Sequence, residues 1–197
     1  LITEQAQVNK YLSALDQLSQ VKLPKADDGS NRLLLPPLLP TETCISVKSL
    51  IEPLIERAKA RANLQGRKWF GPSEWPTWME SRSISEGVIA EIVANLLENA
   101  FRYSPPHSSI GIEVNEEGIC IWDEGIPINF EEREKIFEKG YRGESGLKMS
   151  GTGIGLALAR DLARQVGGDL QLVVNPSQFK KSLPHSGNAF VFNLEPK

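Results

Sequence analysis

Asn95 and Asn99 stand four residues apart in a run whose apolar residues recur at helical spacing, with Glu91 one turn before and Arg102 and Tyr103 just after. Asparagine weakens a helix interior by roughly half a kcal/mol against alanine, so two of them on one helix face ask for a reason. A solvated polar stripe is the plain structural explanation. The chemical one is that two amide oxygens, joined by phosphate oxygens and water, make the all-oxygen surroundings that suit Mg²⁺. Arg102 would then neutralise phosphate charge, and Tyr103 would lie against a flat base.

Two further runs carry chemistry. In Asp123-Glu124-Gly125-Ile126-Pro127-Ile128, period-two alternation turns Asp123 to the same side as Ile119 and Ile121, toward an apolar layer. A carboxylate there needs donors, and Gly125 lets a ring approach the backbone. Adenine brings both the ring and an exocyclic amine, although an aspartate capping a tight turn is the commoner use of such a pattern. Gly151-Thr152-Gly153-Ile154-Gly155 opens a third helical stretch, where backbone N–H groups freed of side chains point at an anion, phosphate being the natural one. No Gly-Lys-Ser/Thr follows, and no strand or βαβ unit precedes, so neither a Walker A loop nor a dinucleotide fingerprint is present. The stretch from Lys139 to Ser150, with Gly140, Gly143 and Gly146 and few apolar residues, reads as a lid or a disordered link, and a lid that orders around a triphosphate is expected.

The elements that must position these groups follow from periodicity. Residues 3–21 read as a helix with Val8, Tyr11, Leu15 and Leu18 on one stripe, followed by a proline-rich linker over 23–40. A capping box at Ser49-x-x-Glu52 predicts a helix to about Asn63, with Pro53 in its first turn. Trp69-Phe70 and Thr77 to Met79 are short strand candidates, and Ser85 to Tyr103 is the helix that carries the asparagines. Ile110, Ile112 and Val114, then Ile119, Ile121 and Asp123, alternate about an Asn115–Gly118 turn and make a hairpin. A helix over 154–166 and strands over 170–174 and 189–194 complete an α+β, two-layer sandwich: a mostly antiparallel sheet with helices on one face, plus the N-terminal helix. Trp122 points away from Ile121, to the side where solvent usually lies, so it is expected half-buried unless the linker or the 176–187 loop covers it.

The 197 residues carry 22 basic and 25 acidic side chains, a net charge of −3, with 40% hydrophobic residues. Such a chain has enough apolar content for a core, and its charge argues against bulk attraction to nucleic acid or anionic lipid. Cys44, Cys120, His107 and His185 have no zinc or iron–sulfur spacing, and His107 reads as a surface residue. No apolar run approaches the roughly 18 residues of a membrane span. A reducing, cytoplasmic setting is expected, and the Leu1 start suggests a piece of a longer protein that is anchored, if at all, upstream.

In order and spacing these runs resemble the boxes of sensor histidine kinases of the GHKL superfamily. Asn95 to Ser104 is similar to the N box, Asp123-x-Gly125-x-Pro127 to the G1 box, Ile136-Phe137 to Arg142 to the F box, and Gly151 to Ala157 to the G2 box. The resemblance covers residues 41–197, taken as the catalytic domain, and implies a Bergerat-type ATP-binding fold. It implies ATP and Mg²⁺ as cofactors, with Asn99 and Asn95 on the metal, and Asn95 and Arg142 as catalytic residues. Asp123 would meet the adenine amine beside Gly125, and Tyr103 would flank adenine. Arg102 and Arg142 would lie near the phosphates, and Gly151, Thr152, Gly153, Gly155 and Leu156 would line the nucleotide. Residues 1–22 resemble the tail of the family's dimerisation hairpin. The activity implied is transfer of the γ-phosphoryl group to a histidine on that hairpin, which this sequence does not contain, with a homodimer and a response regulator as partners and no nucleic acid. Two alternatives stand beside it: a hydrolase like gyrase or the mismatch-repair ATPases, whose N box has a glutamate where Asn95 stands, and a nucleotide-sensing module without catalysis.

Overall fold

The computed structural model describes residues 46–81, 86–143, 152–173 and 175–194. The N-terminal helix and linker, Ser85, Gly151 and the 144–150 part of the lid expected from the sequence lie outside the described residues.

The first helix, α1 (Val47–Leu64), is capped by Ser46, whose hydroxyl accepts the Ser49 N–H at 3.2 Å. The cap therefore sits three residues before the expected Ser49. Pro53 falls in the second turn, where its missing N–H leaves the Ser49 carbonyl without its i+4 donor. Gly66, in the left-handed region at φ +66°, reverses the chain into β1 (Lys68–Phe70). Thr77 to Met79 is not a strand. Pro76 and Thr77 accept from the N–H groups of Met79 and Glu80 and start the single-turn α2 (Trp78–Ser81), whose Met79 is wholly buried. The asparagine-bearing α3 (Glu86–Tyr103) follows, with Val88, Ile89, Ile92, Val93, Leu96, Leu97 and Ala100 buried as their spacing predicts.

The hairpin is present as β2 (Ser109–Asn115) and β3 (Gly118–Asp123), in the register Ile110↔Asp123, Ile112↔Ile121 and Val114↔Ile119. Two short 3₁₀ turns, Phe130–Glu132 and Lys135–Phe137, precede α4 (Gly155–Gln165). Gly167, at φ +79°, ends α4, and the chain closes with β4 (Gly168–Val173), the one-turn α5 (Pro176–Phe179) and β5 (Asn188–Leu194). The sheet order is β1-β2-β3-β5-β4, with β1 and β2 parallel and every other pair antiparallel.

Alternation sorts the two faces. Ile110, Ile112, Ile119, Ile121, Leu170, Phe190 and Phe192 join the apolar sides of α1, α3 and α4 in one core. This is the α+β arrangement expected, helices on one face of a mostly antiparallel sheet. The other face carries a second, smaller cluster of Cys120, Trp122, Ala189 and Val191 under Leu183, with Phe179 against it. Trp122 is 1% exposed rather than half-buried, because the 176–187 segment folds over it. Lys180 holds that segment down: its Nζ donates to Glu113 Oε2 at 3.1 Å and also to Ser73 Oγ.

Candidate nucleotide site

Asn95 is turned by its own helix. Its Nδ2 donates to the Glu91 carbonyl at 3.0 Å, which leaves Oδ1 as the outward end of the amide. That oxygen faces the start of α4: a Cβ built on Gly155 would stand 3.1 Å from it. The absence of a side chain at Gly155 is thus what keeps space open between the amide oxygen and the helix end. Glu91, one turn earlier, is desolvated by burial, which pushes its carboxyl up to about 7, and its Oε1 has no hydrogen-bond partner among the described residues. Asn99, half-buried, is the next turn of the same face, followed by Arg102 and Tyr103 at the end of α3.

The start of α4 carries no acidic residue in its first turn and no side-chain cap, so its leading N–H groups are presented bare at the positive helix end. Gly153 just before it has φ +68°, and a Cβ there would sit 2.6 Å from the Tyr141 carbonyl oxygen. Gly140 N–H donates to Gly153 O at 3.0 Å, which joins the F-box segment to the glycine-rich turn. Thr152 is exposed and Leu156 half-buried.

Asp123 closes β3 at 2% exposure, among isoleucines. Its Oδ1 accepts from Gly125 N at 2.7 Å and from Asn188 Nδ2 at 3.2 Å, and the Ser104 hydroxyl lies beside both this carboxylate and the Ala100 carbonyl. Desolvation raises the carboxyl to about 6, and those donors limit the rise. A Cβ on Gly125 would fall 2.5 Å from Asp123 Oδ1 and 3.0 Å from the Tyr103 carbonyl oxygen, so a glycine there is what lets the end of α3 meet the β3 turn.

The fold therefore brings Asn95 to Gly155, Tyr103 to Gly125 and Asp123, and Gly140 and Tyr141 to Gly153. Arg142 directly follows Tyr141, and Gly151 lies outside the described residues. Sequence reasoning missed Asn188. Buried at the start of β5, it donates to Asp123 Oδ1 and to the Ile126 carbonyl while its own Oδ1 accepts the Ile128 N–H at 2.9 Å. One amide thus braces both the carboxylate and the turn after it. Its signal lies in the pairing register Asp123↔Asn188, which is invisible along the chain. Among the described residues no group of three or more His, Cys, Asp or Glu is placed to hold a metal, and no helix is long and apolar enough to cross a membrane.

Residues 85–197 match the family model described as histidine kinase-, DNA gyrase B-, and HSP90-like ATPase. The sensor histidine kinase Hik2 of Thermosynechococcus vestitus is 38% identical over 130 residues, which cover 61% of this chain and 32% of that protein. The chain thus spans about a third of the length of that curated relative. Among solved structures, the nucleotide-free catalytic domain of the histidine kinase ThkA superposes with a TM-score of 0.60 at 20% identity, covering 76% of this chain and 92% of the other. Full-length ShkA in complex with AMPPNP superposes at 0.55 with 19% identity, covering 78% and 31%. These two likenesses are of fold.

Proposed function

The chain belongs to the histidine kinase-, DNA gyrase B-, and HSP90-like ATPase family, and from that premise we propose that its site binds Mg-ATP and donates the γ-phosphoryl group to a histidine on a separate helical hairpin. The observation that carries the adenine end of this reading is Asp123, a buried carboxylate at a strand end with glycine in front of it and Asn188 behind. A carboxylate held in that way accepts from an exocyclic amine, and the glycine at 125 keeps a side chain off its Oδ1. At the phosphate end, the bare start of α4 and the guanidinium groups of Arg102 and Arg142 supply donors and positive charge.

Asn95 fits a metal role because its amide nitrogen is already engaged, leaving oxygen toward the phosphate-binding turn. With Asn99 it would present amide oxygens to a Mg²⁺ that offsets charge on the triphosphate. The protein's own contribution is positioning and charge neutralisation. In the transfer the acceptor imidazole nitrogen attacks the γ-phosphorus, the bond to the β–γ bridging oxygen breaks, and ADP leaves. The dimerisation hairpin, a homodimer of the longer protein and a response regulator are proposed with that reaction, and a cytoplasmic setting suits its use of ATP.

Thermal unfolding with and without nucleotide tests the binding step. At a hundredfold excess over Kd, ATP with Mg²⁺ should stabilise the native state by about 2.7 kcal/mol, or roughly 5–11 °C in Tm for a domain of this size. Asp123→Asn should lose most of that shift, because an amide NH₂ facing the adenine amine cannot accept from it. An undiminished shift in the variant would refute the adenine assignment.

A further inference from the structure

Arg160 lies in the second turn of α4 and takes no part in the site just described. Its side chain is 12% exposed although it is charged, and it is held on three sides. Nη1 donates to Glu134 Oε2 at 2.6 Å, while Nε and Nη2 meet the two oxygens of Asp169 at 3.2 and 3.5 Å. The guanidinium carbon stands 4.5 Å from the centroid of the Phe137 ring. Phe137 in turn meets Phe190 edge-on, with centroids 6.4 Å apart. A solvent-exposed ion pair stabilises little. Here a mostly desolvated guanidinium has its fork matched by one carboxylate, a second carboxylate at its tip and a ring on its face, which leaves it one orientation.

The piece it holds leads straight to the glycine-rich turn. After Phe137, Tyr141 N–H donates to Glu138 O at 3.1 Å, Gly140 N–H reaches Gly153 O, and the Tyr141 hydroxyl donates to Glu132 Oε1 at 2.8 Å. The segment from Glu134 to Arg142 is thus anchored behind by Arg160 and in front by Gly153. We propose that Arg160 is a positioning residue: by clamping Glu134 and Phe137 to α4 and β4 it sets the place from which Arg142 meets the terminal phosphate of a bound nucleoside triphosphate. The proposal rests on the nucleotide reading of the site. A strut that only stabilised the fold would, when lost, weaken ATP and ADP alike. A positioning residue for Arg142 acts on ATP, because ADP lacks the phosphate that Arg142 would meet.

Arg160→Met keeps an unbranched apolar stem against Phe137 and removes the charge. Calorimetry with ATP and with ADP, both with Mg²⁺, should show ATP weakened by about fivefold or more and ADP by less than about twofold. Arg160→Lys, which keeps a cation without the fork, should fall between. Without nucleotide, amide exchange at Phe137, Glu138, Gly140 and Tyr141 should speed up by about tenfold or more in Arg160→Met, while α3 and the β2–β3 hairpin keep their rates. Equal losses for ATP and ADP, unchanged exchange at those four amides, or faster exchange throughout the domain would each overturn the positioning role. Wild-type protein that binds neither nucleotide would overturn the site reading itself, and with it the part given to Arg142.

Discussion

A carboxylate set among isoleucines at 2% exposure is costly to ionise, and burial raises the Asp123 carboxyl from its ordinary 3.8 to about 6, with the donors around it limiting the rise. Two opposite pH dependences follow. Because its folded-state value is raised, the stability this group contributes is fully present below pH 3.8 and is lost as pH rises through about 6. On the proposed reading adenine recognition runs the other way, since protonation turns one carboxylate oxygen into a donor and weakens the acceptor that would meet the amine. Nucleotide affinity should therefore fall as pH drops from 7 to 5, with a midpoint near 6, while the unliganded protein gains stability from this residue over the same interval. Terminal phosphates also titrate near pH 6, so the step is isolated by comparing the wild type with Asp123→Asn across one pH series. A binding curve of the same shape in both proteins would refute it. The inward turn of Asp123 was legible from period-two alternation alone. Asn188 was not, because an asparagine at a strand start looks like ordinary turn chemistry until register sets it against a residue 65 positions away.

Elements whose apolar spacing is long and regular read correctly: α3, the hairpin, α4 and β5 lie within a residue or two of their expected bounds. Of the two short strand candidates, Trp69-Phe70 is β1, whereas at Thr77 to Met79 the local pattern is too brief to separate a strand from a turn of helix, and the Trp78 indole donating to the Asn115 carbonyl decides it from a distance. The outer face of the sheet was half legible: the sequence offers the linker and the 176–187 loop as covers for Trp122 without choosing between them, and Leu183 and Phe179 of that loop lie on its cluster. That cover makes Gly111 a tight position. A Cβ there would fall 2.6 Å from the Trp122 ring, which cannot retreat, because Phe70 stands 5.6 Å away between centroids and Leu183 packs on the same cluster. Gly111→Ala should thus destabilise by about 1–3 kcal/mol through overpacking, read as a lower urea midpoint at unchanged slope. Trp122→Phe, with its smaller ring, should recover part of that loss in the double variant, so that the pair costs less than the sum of the singles. Strict additivity would show that the alanine methyl and the indole do not meet.

At the scale of the whole molecule the question is where the phosphoryl group goes, and the described histidines give it no destination. His107 is exposed in a loop, in the left-handed region at φ +65°, and His185 Nδ1 pairs with Ser177 Oγ at 2.9 Å between α5 and β5; neither stands on a helix. A hydrolytic route would need a base to activate water, and the amide of Asn95 cannot accept a proton. Glu91, with its carboxyl raised to about 7, has the right acidity, yet it sits one turn earlier in α3, about 6 Å along the axis from Asn95. The 197-residue chain by itself should therefore release phosphate from ATP negligibly and should not label itself. Supplying a separate hairpin that bears the family's histidine should yield an acid-labile, alkali-stable phosphoramidate on the added chain, and Asn99→Ala should abolish it by loss of the proposed metal ligand. Brisk magnesium-dependent phosphate release would point instead to the hydrolase class. If Glu91→Gln then removed that release while ATP binding persisted, the base would be Glu91, and the geometry of α3 would have to deliver its carboxylate to water from the turn before Asn95.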